Sequence, residues 1–297
     1  MTKGRILSVK RFEIHDGDGV RSTLFLKGCP LSCLWCHNPE SQGFSGEIAY
    51  YPHKCVGCGA CASACPTGAH VMDGAAHIFD REKCTGCGRC EGVCLGEAIV
   101  FYGREVTPDE ICSELLKDKD YFTASGGGVT VSGGEPLCRV DFLVELLSKL
   151  RENGVNTAVD TCLCVSREAL ARTVPYTDTY LVDIKAIDPS LHKRLTGQDN
   201  ALILDNVRYL DKLGCRMHIR VPYVPGQNDG EMERIADLVS SLSTRPKVKV
   251  LAYHDFARSK YEALGLDYPM GDTRRPDKAS LDAAREHFTR RGIAQEE

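Results

Sequence analysis

No stretch of this 297-residue chain approaches the roughly 18 consecutive apolar residues that a membrane span requires. The segment from Met1 to Lys10 is charged and then amphipathic, without the apolar core of a secretory signal. An excess of one charge is missing too. Lys and Arg total 37 against 41 Asp and Glu, and cationic clusters such as Arg274 and Arg275 are too short to build a nucleic-acid surface. Tryptophan occurs once, at Trp35. These absences leave the expectation of a cytoplasmic chain with no membrane and no nucleic-acid partner. Its length suffices for one large core, or a core plus a small appended unit.

Cysteine, by contrast, is abundant, with sixteen residues. In a reducing compartment clustered thiols serve metals rather than disulfides. Eleven of them fall into three runs. Cys29, Cys33 and Cys36 form a C-x3-C-x2-C loop. A cubane [4Fe-4S] cluster takes four thiolates, so three with no local fourth leave one iron open to another ligand. Zinc sites favour paired C-x2-C hooks and four ligands, which this loop does not offer. The other two runs are C-x2-C-x2-C-x3-C, at Cys55, Cys58, Cys61 and Cys65, and at Cys84, Cys87, Cys90 and Cys94. They belong to an internal duplication between about Tyr51 and Tyr102, KCVGCGACASACPTGA and KCTGCGRCEGVCLGEA. Each unit is too small to bury a core, so metal clusters must staple it. Such clusters imply an anaerobic setting.

Downstream the pattern alternates between strand and helix. Val129 to Ser132, Asn156 to Thr161, Thr179 to Lys185, His218 to Val224 and Val248 to Tyr253 read as strands. Helices are expected at Val140 to Glu152, near Glu168, at Ala201 to Leu213, Met232 to Leu242 and Ser280 to Arg291. Upstream, Ser22 to Lys27 reads as one more buried strand, preceded by an edge strand near Ile6 to Glu13. The alternation predicts an α/β fold, a parallel sheet of six strands forming an open or partial barrel with its chemistry at the strand C-terminal ends. The three-cysteine loop follows one such strand, and TVSGGEP, Thr130 to Pro136, ends the next.

DGDGVRSTLFLKGCPLSCLWCHNPES, SGGEP, VDT, LVDIK, IRVPYVPG and AYH follow one another across nearly the whole chain. In this order they resemble the radical S-adenosylmethionine (SAM) superfamily, specifically the glycyl radical enzyme activating enzymes of the pyruvate formate-lyase activating family. The duplication resembles the subgroup with a two-cluster ferredoxin-like insert. The resemblance implies a partial (β/α)6 TIM-type barrel, residues 1–48 and 103–297, with a 2[4Fe-4S] ferredoxin-like insert over 49–102. It implies an oxidoreductase that cleaves SAM reductively and installs a glycyl radical on a partner enzyme. A radical SAM enzyme acting on a small molecule is one alternative. A ferredoxin-like electron carrier is another, but it leaves SGGEP, VDT and LVDIK without a role.

By the same resemblance, Cys29, Cys33 and Cys36 hold a [4Fe-4S] cluster whose open iron is chelated by SAM. Trp35 and the His37 backbone take the adenine, and Gly133, Gly134 and Glu135 grip the SAM ammonium. Asp160, Lys185, Arg220 and His254 are further SAM contacts. Asp160, Thr161, the Leu181 carbonyl and Asp183 match a site for a monovalent cation, Na+ or K+. Asp16 matches a segment near the partner peptide. The two-cluster ferredoxin rule assigns Cys55, Cys58, Cys61 and Cys94 to cluster one, and Cys84, Cys87, Cys90 and Cys65 to cluster two, making three [4Fe-4S] clusters in all. A flavodoxin or ferredoxin is the expected electron donor, and the chain is expected to be a monomer. Two departures stand out. Leu163 occupies a position where the family has glycine, and Leu95 replaces the proline that ends the first unit as Pro66. Cys112, Cys138, Cys162, Cys164 and Cys215 fit no cluster spacing and read as small apolar residues.

Overall fold

In the computed structural model, residues 2–74 and 76–296 are described. The strands, in chain order, are β1 (Gly4–Glu13), β2 (Arg21–Leu26), β3 (Glu47–Tyr50), β4 (His70–Asp73), β5 (Ala76–Phe79), β6 (Ile99–Tyr102) and β7 (Arg104–Val106). They continue with β8 (Gly128–Gly133), β9 (Asn156–Thr161), β10 (Thr179–Asp183), β11 (Met217–Tyr223) and β12 (Lys247–Ala252). One sheet has the order β12-β11-β10-β9-β8-β2-β1-β7. Its six central and outer strands from β2 to β12 are parallel, and β1 and β7 add to it antiparallel. This is the expected open α/β barrel. Strands β2, β8 and β10 are buried along nearly their whole length, as strands covered on both faces must be.

The helices are α1 (Ala60–Ala64), α2 (Pro108–Leu115), α3 (Lys119–Ser125), α4 (Val140–Glu152), α5 (Arg167–Thr173), α6 (Pro189–Thr196), α7 (Ala201–Lys212), α8 (Met232–Ser240), α9 (Arg258–Leu264) and α10 (Lys278–Thr289). Helix α4 shows why they form. Phe142, Leu143, Leu146, Leu147 and Leu150 fall at helical spacing on one face and are buried against the sheet. Helices α1, α2, α3, α6 and α9 go beyond the sequence expectation. Two of them carry local signals. Thr107 and Glu110 close a capping box on α2, and Asp188 caps α6, which starts at Pro189 and stops at a left-handed Gly197. The expected edge strand β1 is not at the edge, because β7 pairs outside it. No helix among the described residues is long and apolar enough to cross a membrane.

The duplicated cysteine units lie between β2 and β8 in sequence. They are framed by the antiparallel pair β3 and β6 and by the β4–β5 hairpin. Helix α9 packs on β3, with Ala49, Ala263 and Leu264 forming a small buried cluster. Arg81 fastens the contact by donating to the carbonyls of Ile48 and Ala263.

Inside the barrel, the 14–20 loop turns inward. Thr130 Oγ1 donates to the Asp16 carbonyl at 2.6 Å, and Arg21, 1% exposed, donates to Thr130 Oγ1 at 2.7 Å, the Val129 carbonyl at 2.8 Å and Asn156 Oδ1 at 3.0 Å. One guanidinium thus ties together the starts of β2, β8 and β9. Arg21→Met keeps the apolar stem but strands these acceptors. It should destabilise the chain by about 3 kcal/mol, seen as a lower midpoint in guanidinium unfolding.

Candidate active site

The parallel strands end around a cavity of about 240 Å³. Cys29, Cys33 and Cys36 line one side, in the loop after β2. Backbone contacts hold this loop from several directions. Gly28 N donates to Ser41 O at 2.7 Å, Ser32 N to Thr196 O at 2.8 Å, and Leu34 N to Leu195 O at 3.0 Å. Lys260 on α9 donates to His37 O at 3.1 Å and Asn38 Oδ1 at 2.8 Å, and pairs with Glu40. Nothing in the sequence announces Lys260, which lies some 220 positions from the loop it anchors.

Burial pushes the Cys33 thiol up to about 12 and the Cys36 thiol up to about 11. They are therefore neutral until a metal displaces their protons. Cys29 differs, because a hydrogen bond from Cys162 holds it below the ordinary thiol value, and Cys162 is pushed well above it by the same contact. Cys162 is thus no inert apolar residue: it lines the cavity, and its backbone N–H donates to Glu135 at 2.8 Å. Cys112 is buried in the core, and Cys138, Cys164 and Cys215 pack against it.

Gly133 and Gly134 also line the cavity, and packing explains them. A Cβ on Gly133 would meet the Leu26 carbonyl at 2.2 Å, and one on Gly134 the Gly28 carbonyl at 2.3 Å. Glycine here lets the end of β8 lie against β2 and the cysteine loop. The Glu135 side chain turns away from the cavity. It is 1% exposed and accepts from Leu137 N at 3.0 Å, Thr161 Oγ1 at 2.8 Å and Cys162 N at 2.8 Å, tying the end of β8 to that of β9.

Across from the cysteines lies a charge cluster of Asp16, Asp160, Asp183, Lys185 and Arg220, Lys185 buried and the others half-buried. Lys185 Nζ donates to Asp183 Oδ2 at 2.8 Å. Arg220 Nη1 lies 3.1 Å from Asp160 Oδ2 and 3.8 Å from Asp16 Oδ1, while its Nε lies 3.9 Å from Asp183 Oδ1. These Arg220 contacts are ion pairs by distance only. Neither Nε nor Nη1 is aimed at a hydrogen-bond acceptor, and Asp183 Oδ1 is likewise buried without a partner. Burial pushes Asp160 up to about 6, against the pull of Arg220. Burial acts the same way on Asp183, but Lys185 and Arg220 outweigh it and hold that carboxyl below its usual range. Ser132, overlooked in the sequence, donates to Asp160 at 2.7 Å.

Other expected site residues sit differently. Trp35, 6% exposed, lines the cavity from a cluster with Leu195, Val224, Tyr253 and Met270. His37 lines it too, with its ring stacked on that of His254 at 3.9 Å and its Nε2 3.2 Å from the His254 carbonyl. The His254 ring itself does not reach the cavity wall. Thr161 lines the cavity but spends its hydroxyl on Glu135, and Leu181 lies two residues back from Asp183, level with Asp160 in the sheet. Leu163 adopts a left-handed conformation, φ 57°, of the kind that favours glycine. It is fully buried, and Asn206 Nδ2 holds its carbonyl at 3.0 Å, so the surroundings impose a conformation that costs about 1–2 kcal/mol.

The insert sorts its eight cysteines into two crossed sets. Cys94 stands with Cys55, Cys58 and Cys61 around one cavity, and Cys65 with Cys84, Cys87 and Cys90 around another. Four soft sulfur donors around each cavity suit iron-sulfur clusters. In the barrel, three thiols on one wall face unpartnered buried atoms, Asp183 Oδ1 and Arg220 Nε, on the other, which suits a cluster beside a ligand carrying both charges.

Comparison with known proteins accords with this geometry. A family model described as the radical SAM superfamily matches residues 79–239, and one for a 4Fe-4S dicluster domain matches residues 54–98. The first span covers β8 to β11 and leaves the Cys29–Cys36 loop outside it. The chain is 37% identical to the trans-4-hydroxy-L-proline dehydratase activating enzyme of Clostridioides difficile, over 95% of each chain. It is 37% identical to the (2S)-3-sulfopropanediol dehydratase activating enzyme of Klebsiella oxytoca, over 98% of this chain and 95% of that one. Among solved structures, a domain of a pyruvate-formate lyase-activating enzyme from Bacteroides vulgatus superposes with a TM-score of 0.50 at 27% identity, over 58% of this chain and 98% of that one. A three-cysteine loop facing a charge cluster across an open six-stranded barrel, with a dicluster unit beside it, therefore has a family: the chain belongs to the radical SAM superfamily, among the glycyl radical enzyme activating enzymes.

Proposed function

We propose that this chain activates a glycyl radical enzyme, and that the barrel cavity is where SAM and the partner's glycine meet. The observation that carries the reading is the pairing, in one cavity, of three cluster-type cysteines with a group of opposite charges at the strand ends. When bound, a [4Fe-4S] cluster with SAM supplies one-electron reductive cleavage of the sulfonium, giving methionine and a 5'-deoxyadenosyl radical that takes an α-hydrogen from the glycine.

The chain's own residues supply binding, orientation and exclusion of water. Cys29, Cys33 and Cys36 are the cluster ligands. Trp35 and Val224 give the cavity an apolar wall suited to the adenine, with the His37 backbone alongside. Gly133 and Gly134 present backbone to the SAM ammonium, with Glu135 bracing the turn from behind. Lys185 and Arg220 face the SAM carboxylate, and His254 shapes the site through its stack on His37. Asp160, Asp183, Thr161 and the Leu181 carbonyl are the proposed ligands of a monovalent cation, Na+ or K+. The unpartnered Asp183 Oδ1 supports this. Asp16 presents a carboxylate to the same cavity, where a partner loop must enter.

We assign residues 49–102 as the ferredoxin-like insert and 1–48 with 103–297 as the barrel. The crossed cysteine sets support two [4Fe-4S] clusters in the insert, three in the chain. Their proposed role is to relay electrons from a flavodoxin or ferredoxin to a monomeric barrel in the cytoplasm. The relatives' names attach them to two dehydratases and, at 38% identity in Tractidigestivibacter scatoligenes, to an indoleacetate decarboxylase. Near-equal likeness to activators of such different enzymes points to shared radical generation and to a partner chosen by this chain's surface.

Reconstituted anaerobically and reduced with SAM, the protein should form 5'-deoxyadenosine, and with its partner a glycyl electron spin resonance doublet. A chain that forms no 5'-deoxyadenosine is only an electron carrier. Asp183→Ala should weaken SAM binding on the order of 10- to 100-fold by calorimetry, with the loss concentrated at high K+ and Na+. Replacing Cys58 and Cys87 by Ala should abolish activation by a protein donor while the barrel cluster still turns over with a chemical reductant. Undiminished activation by the protein donor would sink the relay.

A further inference from the structure

Between the two cysteine-lined cavities of the insert stands a pair of histidines that the function above does not use. His77, on β5, lines the cavity of Cys55, Cys58, Cys61 and Cys94, and His70, on β4, lines the other. Their rings meet, with His70 Nδ1 2.9 Å from His77 Nε2. Aromatic neighbours fix both rings: His70 stacks on Phe79 at 4.5 Å, and Tyr50 meets His77 edge-on at 4.4 Å. The far nitrogen of His77, Nδ1, lies 3.8 Å from Cys55 Sγ, and its Nε2 lies 3.6 Å from Cys61 Sγ.

Each imidazole carries an N–H on at least one ring nitrogen. With His70 as donor to the shared contact, His77 Nδ1–H points at Cys55; with His77 as donor, its Nε2–H lies between His70 and Cys61. Either way an N–H of His77 faces a sulfur assigned to cluster one. The imidazole pair has no counterpart in the second repeat: His70 follows Cys65 by five residues, and the residue five after Cys94 is Ile99. The cluster-two sulfurs take other donors, Ala69 N at 3.2 Å and Thr67 Oγ1 at 3.6 Å on Cys65, and Gly86 N at 3.4 Å on Cys84.

We propose that His77, braced by His70, donates a hydrogen bond to a thiolate of cluster one, Cys55 or Cys61, and so raises that cluster's reduction potential. The proposal rests on the cluster assignment made above. A donor to a ligating sulfur stabilises the more negative, reduced cluster. His77 and His70 are positioning residues here, since neither touches SAM or the glycine.

The test is a redox titration of the fully reconstituted chain, followed by electron spin resonance, with iron and zinc assayed in parallel. In His77→Leu, one insert cluster should become harder to reduce. At the potential where it is half reduced in the unmodified chain, its ratio of reduced to oxidised forms should fall about tenfold, equivalent to 59 mV for one electron. His77→Asn, which keeps an N–H, should recover most of the shift, and His70→Leu should give a smaller shift of the same sign. The barrel cluster and the other insert cluster should not move. Should His77→Leu fold poorly, the unmodified chain labelled with 15N-histidine should still show a weak 15N coupling on one reduced insert cluster. Unshifted potentials at full iron content, a uniform shift of all clusters, or no such coupling would overturn the proposal. Loss of four irons in His77→Leu would make His77 a ligand, and zinc held by Cys61, His70 and His77 would make the group a separate metal site; either result also overturns it. A chain that never holds two insert clusters fails the cluster assignment itself, which the iron assay reports separately.

Discussion

Everything at the barrel mouth depends on keeping buried charge paired. Moving a single ion out of water costs several kcal/mol even after the protein relaxes, so Asp160, Asp183, Lys185 and Arg220 are tolerable only together. Sheet register is what brings them together. Asp183 and Arg220 are direct partners across β10 and β11, and Asp160 sits opposite Leu181, two residues earlier on the same β10 strand. Asp160, Asp183 and Arg220 are therefore delivered by the pairing of three parallel strands rather than by any loop. The match is incomplete, because Arg220 is close to its carboxylates without being aimed at them. That residual polarity is what a zwitterionic ligand can satisfy.

The cysteine loop opposite has no secondary structure to stiffen it and borrows rigidity from its neighbours. The end of α6 holds its middle, the turn after β8 holds its start, and Lys260 on α9 holds its end. Because α9 also packs on β3 of the insert, one short helix touches both the proposed barrel cluster loop and the unit proposed to feed it. Such a shared support is what the proposed relay would require to hold its distances fixed.

Much of this was legible because metal chemistry dictates residue type and spacing so narrowly. The three cysteine runs, the duplication and the strand that precedes each acidic or glycine-rich motif are all visible in the chain. What escaped was of two kinds. Helices α2 and α6 had readable caps that strand-helix alternation alone does not register. Residues such as Lys260, Ser132 and Arg21 act through partners far away in sequence, where no local pattern exists. Gly133 and Gly134 have, besides their proposed place at the ligand, a packing role the motif does not disclose: they admit the carbonyls of Leu26 and Gly28. Leu163 is a further case, a non-glycine residue in a left-handed backbone that no local pattern announces, held there by Asn206 and the surrounding core.

The pairing of β2 with β8 carries one more implication. Arg21 faces Gly128 and Leu26 faces Gly133, so these neighbours in the sheet are separated in the chain by the entire cysteine-rich unit. Joining such distant strands carries a loop-closure cost that grows with the length and slackness of the chain between them. The β3–β6 ribbon draws the ends of that loop together, so a unit already stapled by its metals presents β8 to β2 as the far side of a compact body. The pairing of β2 with β8 is thereby linked to the order of the cysteine-rich unit, and without its metals the two strands would have to meet across a slacker tether.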